Sequence, residues 1–167
     1  RDAFVAEGVE TSCLRFLPGQ TAYCVIATEG GERAFVGANL GVSIIAPSPA
    51  DLAWMKSADA VHTGRYSHVD AWLAHFASLT RVSYDFATIR DEDRIATIAP
   101  HCFLAGFSGG DLGRDAALAL AALALKHGAE WVVITRGGEG ALLACPDGIH
   151  EAPAVPVRPV DTLGAGD

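Results

Sequence analysis

Residues 115–140 read DAALALAALALKHGAEWVVITRGGEG, and this stretch decides the fold. Asp115 to His127 is a run of Ala and Leu, the strongest helix formers, and Gly128 stands where a helix ends on a left-handed residue. Three residues further on, WVVIT from Trp131 to Thr135 is almost continuously apolar, as in a parallel strand buried on both faces. The pair Gly137-Gly138 then turns the chain. Helix, short loop and buried strand in that order predict a layered α/β domain.

The same alternation extends outward from this unit. Upstream, Ser48-Pro49-Ala50-Asp51 starts a helix, with Ser as cap, Pro at the first helical position and an acid behind it. Asp59 to Thr63 (DAVHT) reads as a short buried strand. Ser67 and Asp70 repeat the helix start, and Val69, Trp72, Leu73 and Phe76 then fall on one helical face, a core stripe. Arg81 to Ala87 (RVSYDFA) is a strand, Asp91 to Ile98 a weaker helix closed by Pro100, and HCFLAG a further strand. Downstream, Ala141 to Cys145 and Ile149 to Glu151 are short strands, and EAPAVPVRPV is an extended connector. Repeated strand–helix–strand units predict a doubly wound, mostly parallel sheet flanked by helices. Ligands of such sheets bind beyond the carboxyl ends of the strands.

The first 46 residues follow a different pattern. Ser12 to Leu17, a Pro18-Gly19 turn, Thr21 to Thr28, and a return from Arg33 to Val36 read as a β-meander without helices. The expected organisation is therefore a small β-sheet over residues 1–46 and an α/β core over 47–167.

Composition narrows the partners. Half of the 167 residues are apolar, 19% are charged, and the net charge is -8, which leaves no basic face for nucleic acid. The apolar run Ala116 to Leu125 is far short of the roughly 20 residues that span a bilayer, and no signal peptide is visible, so a cytoplasmic protein is expected. Cys13, Cys24, Cys102 and Cys145 show no CxxC pair or ligand spacing and are expected as reduced core thiols. The chain begins RDAF and stops at Asp167, which suggests an interior portion of a longer protein.

Two stretches carry chemistry. GFSGG, Gly106 to Gly110, fits the GxSxG of a hydrolase nucleophile elbow between a strand and a helix, with Ser108 as nucleophile. A triad needs an acid and a His from separate loops, and here Asp147 and His150 stand three residues apart. DTLGAGD, Asp161 to Asp167, offers another reaction. Gly164, Ala165 and Gly166 are small enough for successive backbone N–H groups to converge on one anion, and Asp167 at the rim can accept a proton from a hydroxyl. The same letters also write a tight turn and a helix cap, which is the other reading of Asp161.

DTLGAGD resembles the second signature of the pfkB, or ribokinase-like, carbohydrate kinases, and TRGGEG from Thr135 to Gly140 resembles the nucleotide loop that precedes it. The resemblance implies a ribokinase-like fold whose amino-terminal β-sheet is a lid over the sugar, and phosphoryl transfer from ATP with Mg²⁺ to a sugar hydroxyl. It implies Asp167 as base and Gly164, Ala165 and Gly166 as the anion cradle. Thr135, Gly137, Gly138 and Gly140 would shape the nucleotide loop, and Asp161 and Thr162 would support the cradle and a monovalent cation. It also implies a homodimer through the lid. The family's usual Asn-x-x-Glu pair is missing: FSGGD supplies Ser108 and Asp111 only, so the metal ligands stay unassigned. Gly41 to Trp72, followed by VSYDFA, resembles the fructosamine and fructoselysine 6-kinases of the family, which would make a fructosamine 6-hydroxyl the acceptor. A hydrolase using Ser108 and a catalytically silent ribokinase-like binding module are the alternatives.

Overall fold

The structure, a computed structural model, describes residues 1–29 and 32–158. The chain divides into two compact units, Arg1–Asp51 and the part from Leu52 onward.

In the first unit a short helix α1 (Asp2–Ala6) is followed by β1 (Tyr23–Glu29) and β2 (Glu32–Asn39), which pair antiparallel with Tyr23 opposite Asn39. A bulge between Val25 and Ile26 shifts the register, as bulges do at exposed sheet edges. One expectation is corrected here: Ser12 to Leu17 is not a strand, because the ladder in this unit pairs β1 with β2 alone among the described residues. The segment is held through Arg15 instead, whose guanidinium donates to Asp51 (2.9 Å) and to the Ala46 carbonyl (3.3 Å).

Helix α2 (Pro49–Met55) begins as its sequence predicts. Asp51 N–H donates to the Ser48 hydroxyl (3.2 Å), and the Asp51 carboxylate accepts from Ser48 N–H (2.7 Å). Those bonds from Ser48 hold the Asp51 carboxyl below its ordinary pKa, and Arg15 adds to the effect.

The second unit is a six-stranded sheet in the order β3 (Ala60–Gly64), β4 (Arg81–Asp85), β5 (Leu104–Ser108), β6 (Trp131–Thr135), β7 (Ala141–Cys145), β8 (Gly148–Ala152). The first four run parallel; β7 pairs antiparallel to β6, and β8 antiparallel to β7. Helices α3 (Leu73–Leu79), α4 (Glu92–Ile98) and α5 (Arg114–Lys126) link the parallel strands. Asp91 caps α4 by accepting from Arg94 N–H (2.8 Å). Gly128, at φ +103, ends α5 as the sequence predicts, with the N–H of Ala129 closing on the Ala124 carbonyl (3.1 Å).

One cluster fills the helix-covered face. Leu73 and Phe76 of α3, Ile95 and Ile98 of α4, and Leu120 and Ala121 of α5 pack on Val82, Tyr84, Phe107, Val132, Ile134 and Leu142 of the strands. Phe86 lies edge-on to Tyr84 and stacked on Phe107, with ring centroids 4.8 and 4.5 Å apart. The helix expected from Ser67 begins only at Leu73: His68 adopts a left-handed backbone (φ 55), which an α-helix cannot contain, so residues 65–67 and 70–72 form separate tight turns. WVVIT is buried on one face. Val132 and Ile134 are fully covered, whereas Trp131 and Val133 are half-buried and Thr135 is exposed. Of the four free thiols, Cys102 and Cys145 are buried and Cys13 and Cys24 are exposed, which corrects the expectation of four core thiols. Burial pushes the Cys102 thiol up to about 12.

Candidate active site at the carboxyl ends of the parallel strands

Strand β6 delivers Thr135 to the sheet's carboxyl edge, and the next five residues form a closed turn. Arg136 N–H donates to the Gly140 carbonyl (2.7 Å), Glu139 N–H to the Arg136 carbonyl (3.0 Å), and Gly140 N–H to the Gly137 carbonyl (3.0 Å). Gly140 is obligatory: it sits at φ +88, and a Cβ there would lie 2.0 Å from the Ala152 carbonyl oxygen of β8. Gly137, itself left-handed at φ +55, and Gly138 differ in their surroundings, since a Cβ on either meets nothing within 4 Å. The turn therefore presents bare backbone to open space on one side and packs tightly against β8 on the other. That is the form a backbone cradle for phosphate oxygens requires.

Thr135 also ties this turn to the next loop. Its carbonyl accepts from Gly109 N–H (2.7 Å), and Ser108 is its partner across the β5–β6 ladder. Beside them, on the face away from the helices, lies a cavity of about 400 Å³ whose polar lining includes His62, Ser83, Asp85, Ser108 and Thr135. All five stand on parallel strands at alternating positions. His62 Nδ1 and the Ser83 hydroxyl are hydrogen-bonded at 3.0 Å.

The loops after β4 and β5 are joined by a group of residues that the periodicity of the sequence does not announce. Asp85 accepts from Ala87 N–H (2.8 Å) and so holds Ala87 in a left-handed conformation (φ 51), from which its carbonyl receives Ser108 N–H (2.8 Å). Arg90 donates to the carbonyls of Ile89 (3.0 Å) and Ser108 and reaches the Asp111 carboxylate at 3.4 Å. Its Nε is buried without a partner among the described residues. The available signal was an Asp at a strand end two residues before a small residue, the usual spelling of a side-chain-capped turn.

Ser108 does not have the neighbours of a hydrolase nucleophile. Because β7 runs antiparallel to β6, the β7–β8 turn that carries Asp147 lies at the opposite edge of the sheet, about one strand length from Ser108. His150 pairs with Leu143 in the middle of the ladder. No triad assembles. The predicted residues Asp161, Thr162, Gly164, Ala165, Gly166 and Asp167 lie outside the described residues. Among the described residues no three His, Cys, Asp or Glu side chains converge as a metal site, and no helix is long and apolar enough to cross a membrane.

The family model described as "pfkB family carbohydrate kinase" matches residues 1–167. The chain belongs to the pfkB family. Within it, the chain is 34% identical over 166 residues to fructosamine kinase FrlD of Bacillus subtilis (strain 168), covering 96% of this chain and 58% of that protein. It is 30% identical over 165 residues to fructoselysine 6-kinase of Escherichia coli (strain K12), covering 96% of this chain and 62% of that one. The chain thus spans about three-fifths of these relatives' length. The crystal structure of ribokinase from Cryptococcus neoformans var. grubii serotype A in complex with ADP superposes with a TM-score of 0.73 at 19% identity, covering 99% of this chain and 61% of that one. The fold is ribokinase-like, as the sequence resemblance implies.

Proposed function

We propose that the protein carrying this chain is an ATP-dependent kinase that phosphorylates the 6-hydroxyl of a fructosamine. The observation that carries the reading is the closed turn Thr135–Gly140 at the carboxyl end of β6, with Gly137 and Gly138 open to a ligand and Gly140 locked against β8. The acceptor class rests on the two relatives, one a fructosamine kinase and one a fructoselysine 6-kinase.

Phosphoryl transfer passes through a loose transition state, so positioning and charge stabilisation dominate. In the proposed mechanism the backbone N–H groups of the Gly137–Gly138 turn hold nucleotide phosphate oxygens. Gly164, Ala165 and Gly166 receive the migrating phosphoryl group, and Asp167 orients the sugar hydroxyl and takes its proton late. Asp161 and Thr162 support the cradle and a monovalent cation. Mg²⁺ would supply charge neutralisation on the phosphates. Asp111, exposed and held by Arg90, is a carboxylate that fits its preference for few protein ligands. The reading places the enzyme in the cytoplasm as a homodimer joined through the β1–β2 sheet.

The test is phosphotransfer by the full-length protein. Asp167→Asn should lower kcat by about 10²–10⁴-fold, the range of a general base, with the KM for ATP little changed. Ser108→Ala should leave kcat within about tenfold, a barrier change of about 1.4 kcal/mol. Undiminished turnover in Asp167→Asn, or esterase activity that vanishes in Ser108→Ala, would remove the kinase reading.

A further inference from the structure

A second cavity, of about 480 Å³, lies beyond the carboxyl end of β3 and is walled by Arg65, Tyr66, His68, Asp70 and Arg94. Nothing in the nucleotide loop touches it. Asp70 is its fixed point: one carboxylate oxygen accepts from the Tyr84 hydroxyl (2.7 Å) and the other from Arg94 Nη2 (2.9 Å). Burial raises the Tyr84 pKa well above that of an ordinary phenol, and the bond to Asp70 adds to this, so the phenol keeps its proton and donates. The Arg94 guanidinium is thereby fixed at the wall.

Arg65 is in a different situation. Its guanidinium lies 5.3 Å from the centre of the Tyr66 ring, and no carboxylate lies within 4 Å of it among the described residues. The cavity thus offers the Arg65 guanidinium and an imidazole beside an Arg94–Asp70 pair that is already formed. An anion that takes two N–H donors from one guanidinium fits this wall, and a carboxylate is one such anion.

Position selects which carboxylate. β3 and β6 are separated by two intervening strands, so the carboxyl ends of the two strands lie three strand spacings apart, about 14 Å. An acceptor that presents its hydroxyl at the phosphoryl end and reaches this cavity must be elongated, with an anion at its far end. A hexose whose first carbon carries an amino acid has that form.

We infer that the cavity walled by Arg65, His68 and Arg94 binds the carboxylate of the amino-acid portion of a fructosamine acceptor, and that Arg65 is a specificity-determining residue. The inference rests on the acceptor class proposed above. It makes the protein a reader of the amino acid as well as of the sugar.

The experiment compares two acceptors in the full-length enzyme: fructose joined to the side-chain amine of lysine, and fructose joined to pentane-1,5-diamine, which has the same length without the carboxylate. In the wild type, KM should be at least tenfold lower for the lysine adduct. Arg65→Met should erase that advantage, raising KM for the lysine adduct about tenfold with kcat within twofold and leaving the diamine adduct unchanged. Arg65→Lys should recover part of it. An equal shift on both acceptors, or a wild type that does not distinguish them, overturns the inference while leaving the kinase intact. A wild type that turns over neither adduct but phosphorylates another sugar overturns the acceptor class and the inference together.

Discussion

The two faces of the six-stranded sheet are built from the same strands and have opposite chemistry. Toward the helices, Val82, Tyr84, Phe107, Val132, Ile134 and Leu142 are sealed from water. One residue away along each strand, His62, Ser83, Asp85, Ser108 and Thr135 line an open cavity. The period of two in a strand separates stability from chemistry within a single element. It also shows why one strand can carry an apolar core position and a site residue side by side.

Three substitutions can break or sharpen that comparison. The largest effect is expected at the sheet's edge, where Gly140→Ala places a methyl against the Ala152 carbonyl in a left-handed backbone. A loss of about 3 kcal/mol or more in denaturant unfolding is expected from the combined strain. An unchanged midpoint would mean the turn is not held by β8. Next comes Val132→Ala, a fully buried side chain, expected to cost about 2–3 kcal/mol in the same measurement. The smallest belongs to its neighbour on the other face. Val133→Ala should cost less than about 1 kcal/mol, because Val133 is only half-buried. Equal losses at 132 and 133 in the full-length protein would show that both faces are packed there and that the contrast belongs to this chain alone.

The α/β order was legible because its signals are local. The Ala and Leu run of α5, Gly128 behind it, the Ser48–Asp51 capping box and the apolar WVVIT each announce themselves within a few residues, and all stand where the pattern puts them. What was missed depends on pairing across distance. Ser12 to Leu17 alternates like a strand but has no partner to form a ladder with among the described residues. The stripe at Val69, Leu73 and Phe76 is buried as expected, yet a left-handed His68 delays the helix. The site divides in the same way. TRGGEG is a contiguous turn and can be read as one, whereas the Asp70–Tyr84–Arg94 group joins three elements and has no linear spelling. GFSGG shows the converse: the letters of a nucleophile elbow are present, but the reversal of β7 carries Asp147 to the far edge and leaves His150 in mid-ladder.

That reversal has a kinetic consequence. Because β6 and β7 are joined by the five residues Arg136–Gly140, their hairpin closes a very short loop, and hairpins of this kind form on a microsecond scale. The Arg94–Asp70 pair spans 24 residues and forms only after α3, β4 and α4 have been brought together. The refolding chain can therefore shape its Arg136–Gly140 turn before the far end of the sheet exists.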